Sequence, residues 1–346
     1  MKTEAAILVD TAKPLELVEI ETPALKPGQV LVEVTYSGAC HTQVLEARGH
    51  RGEDKWLPHC LGHEGSGRVL ETGAGVSKVS ADDKVVLSWI KGTGIEAGGA
   101  VYNWDGKNVN SGGVTTFQRH AVVSENRLTL LPNHLPEQLS ILLGCAAPTG
   151  MGAILNVANV RPGDAVAVFG TGGVGLNACM AAAFSGGIPV IGVDPVPSRR
   201  ELALAFGATH VIDPAAGDVL DQIREIVPGG VDVAIEATGI PAVMSDAVNS
   251  TRQQGGRAVV IGNAKHGQDL TLQPGVFNQG KSLLGTWGGD SDPDRDYGRF
   301  AKLLGAGRFP VETLLSDAYS LAQADQALTD LEAGTIGRPL IDMSIR

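Results

Sequence analysis

The chain has 346 residues, 43% of them hydrophobic and 19% charged, with a formal net charge of −11. A single hydrophobic core rarely grows past about 250–300 residues, so two domains are expected. The acidic balance argues against nucleic acid and anionic membrane surfaces, which attract basic proteins.

The opening MKTEAAILVDTAKP carries acids and lacks a long apolar core, so no signal peptide is expected there. No stretch reaches the ~20 apolar residues of a membrane span. Short β-like runs follow: AAILV (5–9), VLVEV (30–34), GRVLE (67–71), KVVLS (84–88) and QRHAVV (118–123). Glycine and proline punctuate them, which predicts an irregular, barrel-like β domain. Residues 91–114 are rich in Gly and Asn without periodicity and are expected to form one long loop.

From about residue 160 strands alternate with helices. DAVAVFG (164–170), PVIGVD (189–194), THVID (209–213), VDVAIEAT (231–238) and GRAVVIG (256–262) are predicted strands. LNACMAAAFSG (176–186), SRRELALAFGA (198–208) and VLDQIREIV (219–227) are predicted helices. Continuously apolar strands separated by amphipathic helices indicate a doubly wound parallel sheet. The last segment, from about 290, is expected to return to the first domain and end in a strand over PLIDM (339–343).

Two sets of residues carry chemistry. Cys40 in GACHTQ, His63 in LGHEGSG and Cys145 in LLGCAAPTG are ligand types that zinc accepts, and three protein ligands leave a position for substrate. Four cysteines in a chain of this length make no disulfide framework, so free thiols in a reducing cytoplasm are expected. Gly170-Thr171-Gly172-Gly173-Val174-Gly175 fits G-x-G-x-x-G between an expected strand and helix, a turn that binds pyrophosphate. Further along, Asp194 ends the next strand and favours NAD over NADP through the ribose hydroxyls. The alternative for Asp194 is an acid that only caps a loop. Arg199 and Arg200 beside it are of the type that accommodates a 2′-phosphate.

With GACHTQ, LGHEGSG, LLGCAAPTG and VFGTGGVG in one order, the chain resembles the zinc-dependent medium-chain alcohol dehydrogenases over nearly its whole length. The resemblance implies a GroES-like catalytic domain (1–147), a Rossmann NAD-binding domain (148–287) and a return to the catalytic domain (288–346). It also implies that Cys40, His63 and Cys145 hold one catalytic zinc, with Glu64 beside the histidine as an acid that can approach the metal, and that Thr42 bonds the alcohol and relays its proton. His41 and Arg338 are implied near the cofactor phosphates and Thr149 at the nicotinamide, and Arg199, shortly after Asp194 in the chain, is expected to join the cofactor site. Trp89 is implied as a pocket wall, and Trp56 is expected to line the same pocket. Such relatives are usually dimers or tetramers acting on small alcohols or carbonyls.

Three departures from the family pattern stand out. Segment 91–114 has none of the four cysteines that hold a structural zinc in many relatives. Gln43 stands where an acid commonly supports a zinc ligand, and Leu45 where some relatives end the proton relay with histidine. Cys60 and Cys179 are expected in cores. Two rival readings are a zinc-free NADPH quinone or enoyl reductase on the same fold and a non-catalytic cofactor-binding protein.

Overall fold

The computed structural model describes every residue except Thr335. It divides into two compact units, one of Met1–Cys145, Asp292–Gly305 and Val311–Arg346, the other of Ala146–Ser291 and Ala306–Pro310. Among the described residues no single helix is long and apolar enough to cross a membrane.

The first unit is built around the ten-residue strand Gln29–Gly38. Side chains alternate between the two faces of a strand. Accordingly Val30, Val32 and Val34 enter one core while Leu31 enters another. Glu64–Thr72, His120–Ser124 and the late strand Arg338–Asp342 all pair antiparallel with Gln29–Gly38, within a seven-stranded sheet. The second core lies in a small closed barrel formed by Lys2–Leu8, Glu16–Glu21, His59–Cys60, Val101–Trp104 and Lys107–Asn110. Cys60 is buried there among apolar side chains, and its thiol pKa is pushed up by burial.

Segment 91–114 corrects the expectation of a single loop. Val101–Trp104 and Lys107–Asn110 form a hairpin that joins the barrel through Glu21 opposite Asn103. Its two-residue turn, Asp105-Gly106, has positive φ at both positions (48° and 81°), as a mirror-image turn between twisted strands requires. The Asp-Gly signal was present in the sequence, and the surrounding Gly and Asn obscured it. Ahead of the hairpin, two carboxylates pin the chain. Buried Glu125 accepts from Ser77 N and Lys78 N through Oε1 (2.7 and 2.8 Å) and from Ile95 N through Oε2 (2.7 Å). Asp294 accepts from Thr93 N and Oγ1 (2.6 and 2.7 Å) and pairs with Lys78 Nζ at 2.6 Å.

The second unit is a six-stranded parallel sheet. Its spatial order is His210–Ile212, Val190–Val193, Val166–Phe169, Val233–Glu236, Arg257–Val260, Ser282–Gly285. The order reverses beside Val166–Phe169, and ligands of such sheets bind at that switch point, outside the carboxyl ends of the strands. Helix Gly173–Phe184 starts within the glycine turn, earlier than expected, and Cys179 on it is fully buried with its thiol pushed up to about 12. Helix Pro241–Ser250 and strand Ser282–Gly285 add to the expected elements.

Burial alone would raise the Glu125 carboxyl, yet the three N–H groups donating to it hold it below the usual carboxylate range, because they favour its charged form. A depressed folded pKa adds stability that is complete above the unfolded value of ~4.3 and is lost as pH falls through the folded value. Glu125→Gln turns an amide donor toward backbone donors and is expected to cost about 1–3 kcal/mol at pH 7. In urea unfolding the gap between variant and wild type should close as the pH falls below ~4.

Candidate functional site

Cys40 lies where the strand Gln29–Gly38 gives way to the helix His41–Ala47, as the residue capping its N-terminus. Its Sγ accepts from Thr42 N at 3.4 Å, and its own N–H donates to Gln43 Oε1 at 2.9 Å. His63 directly precedes the strand Glu64–Thr72, and Cys145 ends the single helical turn Ile141–Gly144. These three segments bring Cys40 Sγ, Cys145 Sγ and a ring nitrogen of His63 within 4.8 Å of one another. Cys40 Sγ and His63 Nε2 are 3.4 Å apart. Tetrahedral zinc with ordinary Zn–S and Zn–N lengths separates such a pair by about 3.5 Å, so donor types and spacing both fit zinc.

The electrostatics concentrate charge on one sulfur. The hydrogen bond from the Cys145 thiol, helped by His63, holds Cys40 well below the usual thiol range in spite of burial. The same hydrogen bond and burial drive Cys145 well above it. Burial lowers the His63 pKa, but the Cys40 sulfur outweighs this and leaves it raised.

Behind the ligands sits a fully buried ion pair. Glu64 Oε1 accepts from Arg338 Nη1 at 2.6 Å, and Arg338 also donates to Ala39 O at 3.2 Å. Burial pushes the Glu64 carboxyl up, and Arg338 only partly counters this. Glu64 fits because two glycines make room for it. A Cβ on Gly38 would stand 2.9 Å from the Glu64 carboxylate carbon, and one on Gly144 2.6 Å from Glu64 Cβ. Each cysteine motif thus carries its glycine for the same acid, a requirement that sequence reading missed. The Cys145 turn has a second hold: Ser88 Oγ donates to Gly144 O at 2.8 Å, and Tyr297 Oη donates to Ser88 Oγ at 2.6 Å. Neither Ser88 nor Tyr297 stood out in the sequence, since hydroxyls carry no local motif.

Other expected site residues fall in different places. The Trp89 ring meets His63 edge-on with centroids 6.3 Å apart, whereas Trp56 is 69% exposed and joins none of these contacts. His41 is exposed and Thr42 half-buried on the first turn of the Cys40 helix. Arg338, which resemblance placed at the cofactor phosphates, is 3% exposed and engaged with Glu64.

In the second unit the glycine turn has the shape its pattern requires. A Cβ on Gly175 would lie 1.9 Å from Gly170 O, so the helix packs against the strand only without one. Around Gly172 a Cβ would meet nothing within 4 Å, and the first backbone N–H groups of helix Gly173–Phe184 are at that end, a cradle suited to a phosphate. Asp194 is buried and ties the turn to the strand end, accepting from Thr171 N (2.8 Å) and Val196 N (2.9 Å). Arg200 is engaged with Asp213 at 2.9 Å and with the carbonyls of Asp194 and Pro195. Arg199 is half-buried, and Thr149 has a buried hydroxyl without a hydrogen-bond partner.

Comparison with known proteins agrees in both units. Residues 26–133 match the alcohol dehydrogenase GroES-like domain, and residues 173–306 match the zinc-binding dehydrogenase domain. S-(hydroxymethyl)glutathione dehydrogenase of Escherichia coli is 32% identical, covering 99% of this chain and 100% of that protein. Among solved structures, an alcohol dehydrogenase zinc-binding domain protein from Burkholderia ambifaria has a TM-score of 0.91 at 32% identity, covering 99% of each chain. Benzyl alcohol dehydrogenase from Acinetobacter calcoaceticus has a TM-score of 0.90 at 29% identity with the same coverage.

Removing one partner of a buried ion pair leaves an uncompensated charge and typically costs about 3–5 kcal/mol. Arg338→Ala is therefore expected to lower the urea-unfolding free energy of the metal-free protein by that order. Glu64→Gln combined with Arg338→Met, which removes both charges, should recover much of the loss.

Proposed function

The chain belongs to the zinc-type medium-chain alcohol dehydrogenase family and catalyses alcohol–carbonyl oxidoreduction; we propose that it does so with one zinc ion and NAD. The observation that carries this reading is the convergence of Cys40, His63 and Cys145 within 4.8 Å. Bound zinc supplies Lewis acidity toward the substrate oxygen, favouring the ionised alcohol in one direction and a polarised carbonyl in the other. Bound nicotinamide supplies the hydride acceptor or donor.

The chain's own residues do the rest. Cys40, His63 and Cys145 hold the metal and leave a fourth position for substrate. Thr42 Oγ1 accepts the hydrogen bond of the alcohol and passes its proton outward, a role supported by its position two residues after Cys40. Glu64 and Arg338 hold the ligand shell from behind. Trp89, edge-on to His63, forms a wall for the alcohol, and Trp56 is assigned only to its outer approach.

The cofactor is held by Gly170, Gly172, Gly173, Val174 and Gly175, with the pyrophosphate at the Gly172 cradle, where helix N–H groups favour an anion. A carboxylate offers about four lone-pair directions, so the two backbone donors leave Asp194 capacity for ribose hydroxyls. Its charge also disfavours a 2′-phosphate, and Arg200 is already engaged with Asp213. Arg199 and His41 are assigned to the phosphates, and the unpartnered Thr149 hydroxyl to a polar group of the nicotinamide. This supports NAD over NADPH and disfavours a zinc-free reductase, which has no use for two converging thiols. A homodimer or homotetramer in the cytoplasm completes the reading.

Elemental analysis should find about one zinc per chain, since the remaining cysteines, Cys60 and Cys179, are buried apart from the site. Cys40→Ala should lose both the zinc and alcohol oxidation while still binding NAD by fluorescence titration; full turnover in that variant refutes the site. A panel of primary, secondary, aromatic and polyhydroxy alcohols with S-(hydroxymethyl)glutathione, run with either cofactor, should show higher kcat/KM with NAD. Asp194→Ala should narrow that preference.

A further inference from the structure

Gln43 is 1% exposed and its amide is wedged between two groups of the metal site. On one side Cys40 N–H donates to Oε1 at 2.9 Å; on the other Nε2 hydrogen-bonds His63 Nδ1. A carboxamide has one oxygen that accepts and one NH2 that only donates. A backbone N–H can only donate, so the oxygen must face Cys40 and the NH2 must face the histidine. Nδ1 then presents its lone pair, and the proton of the neutral ring sits on Nε2, directed at Cys40 Sγ 3.4 Å away. Both neighbours of the ring agree on that tautomer.

Zinc needs the opposite. The nitrogen facing the sulfurs is Nε2, and it must offer its lone pair to the metal, which puts the ring proton on Nδ1 against the amide NH2. Turning the amide over gives that proton an acceptor but sets the NH2 against Cys40 N–H. In each of these two orientations one buried donor meets another. A carboxylate of the same length has two oxygens and satisfies both at once.

We propose that Gln43 is a positioning residue that weakens zinc binding, by holding His63 as the Nε2–H tautomer in the metal-free protein and releasing Cys40 N–H when the metal enters. This rests on the zinc reading of Cys40, His63 and Cys145. It implies a metal that loads and leaves more readily than in the same site with an acid at position 43. Groups that orient metal-bound histidines typically change affinity 10–100-fold when altered.

The test uses the full chain stripped of metal. Zinc affinity is read by competition with a chromophoric chelator, and the His63 tautomer by two-bond proton–nitrogen correlation on histidine-labelled protein, at a pH where the ring is neutral. Wild type is expected to show the Nε2–H pattern. Gln43→Glu should show the Nδ1–H pattern and bind zinc about 10–100-fold more tightly. Gln43→Asp, with its acid on a shorter stem, should move both readings in the same direction and serves if the longer acid fails to fold. An Nδ1–H pattern in wild type, or equal zinc affinities in wild type and acid variants, overturns the proposal. If wild type binds zinc no better than Cys40→Ala, the metal site itself fails and this inference with it.

Discussion

A carboxylate sealed from water has to be matched within the protein, and Glu64 is matched by Arg338, 274 residues further along the chain. Desolvating each ion costs several kcal/mol, which only a well-placed partner offsets. Arg338 opens the strand Arg338–Asp342, whose Leu340 sits opposite Gly38 on the strand that delivers Cys40. Shifting that strand by one residue would carry Arg338 away from the acid and turn its side chains to the wrong face. The pair therefore fixes the register of the last strand, the seat of His63 and the two glycine positions flanking the acid. The cysteines can approach His63 because this frame is already set.

How much of this was legible in the sequence depended on how local the physics is. The parallel sheet could be read because each strand, such as Val166–Phe169, is buried on both faces and so is continuously apolar. The glycine turn could be read because its spacing is local: Gly170 has positive φ (85°), and a Cβ on Gly175 would collide with Gly170 O five residues before it. Cys40, His63 and Cys145 could be picked out by ligand chemistry and the wording around each. Arg338 was noticed, but its bond to Glu64 was not foreseen, since a contact across 274 positions leaves no trace beside either residue. Gly38 and Gly144 were quoted within motifs without their reason, which lies in the volume of Glu64. The hairpin at 101–110 was missed although its Asp-Gly turn was in plain view, because the strands on either side are only four residues long.

Position 43 illustrates a different limit. That an amide replaces an acid was visible from residue type alone. That the amide lies between Cys40 N–H and the His63 ring follows only once the helix cap and the ring are seen sharing one side chain. Capping a helix and orienting a ligand are usually separate tasks; here one side chain of limited hydrogen-bonding capacity serves both.

Glu125 and Asp294 hold the segment before the hairpin with backbone donors and a lysine, where many relatives use thiolates around a second metal. Chelators and oxidants act on metals and sulfur, and this lobe offers them neither. The hold on this segment therefore rests on carboxylates and backbone N–H groups, which neither treatment attacks.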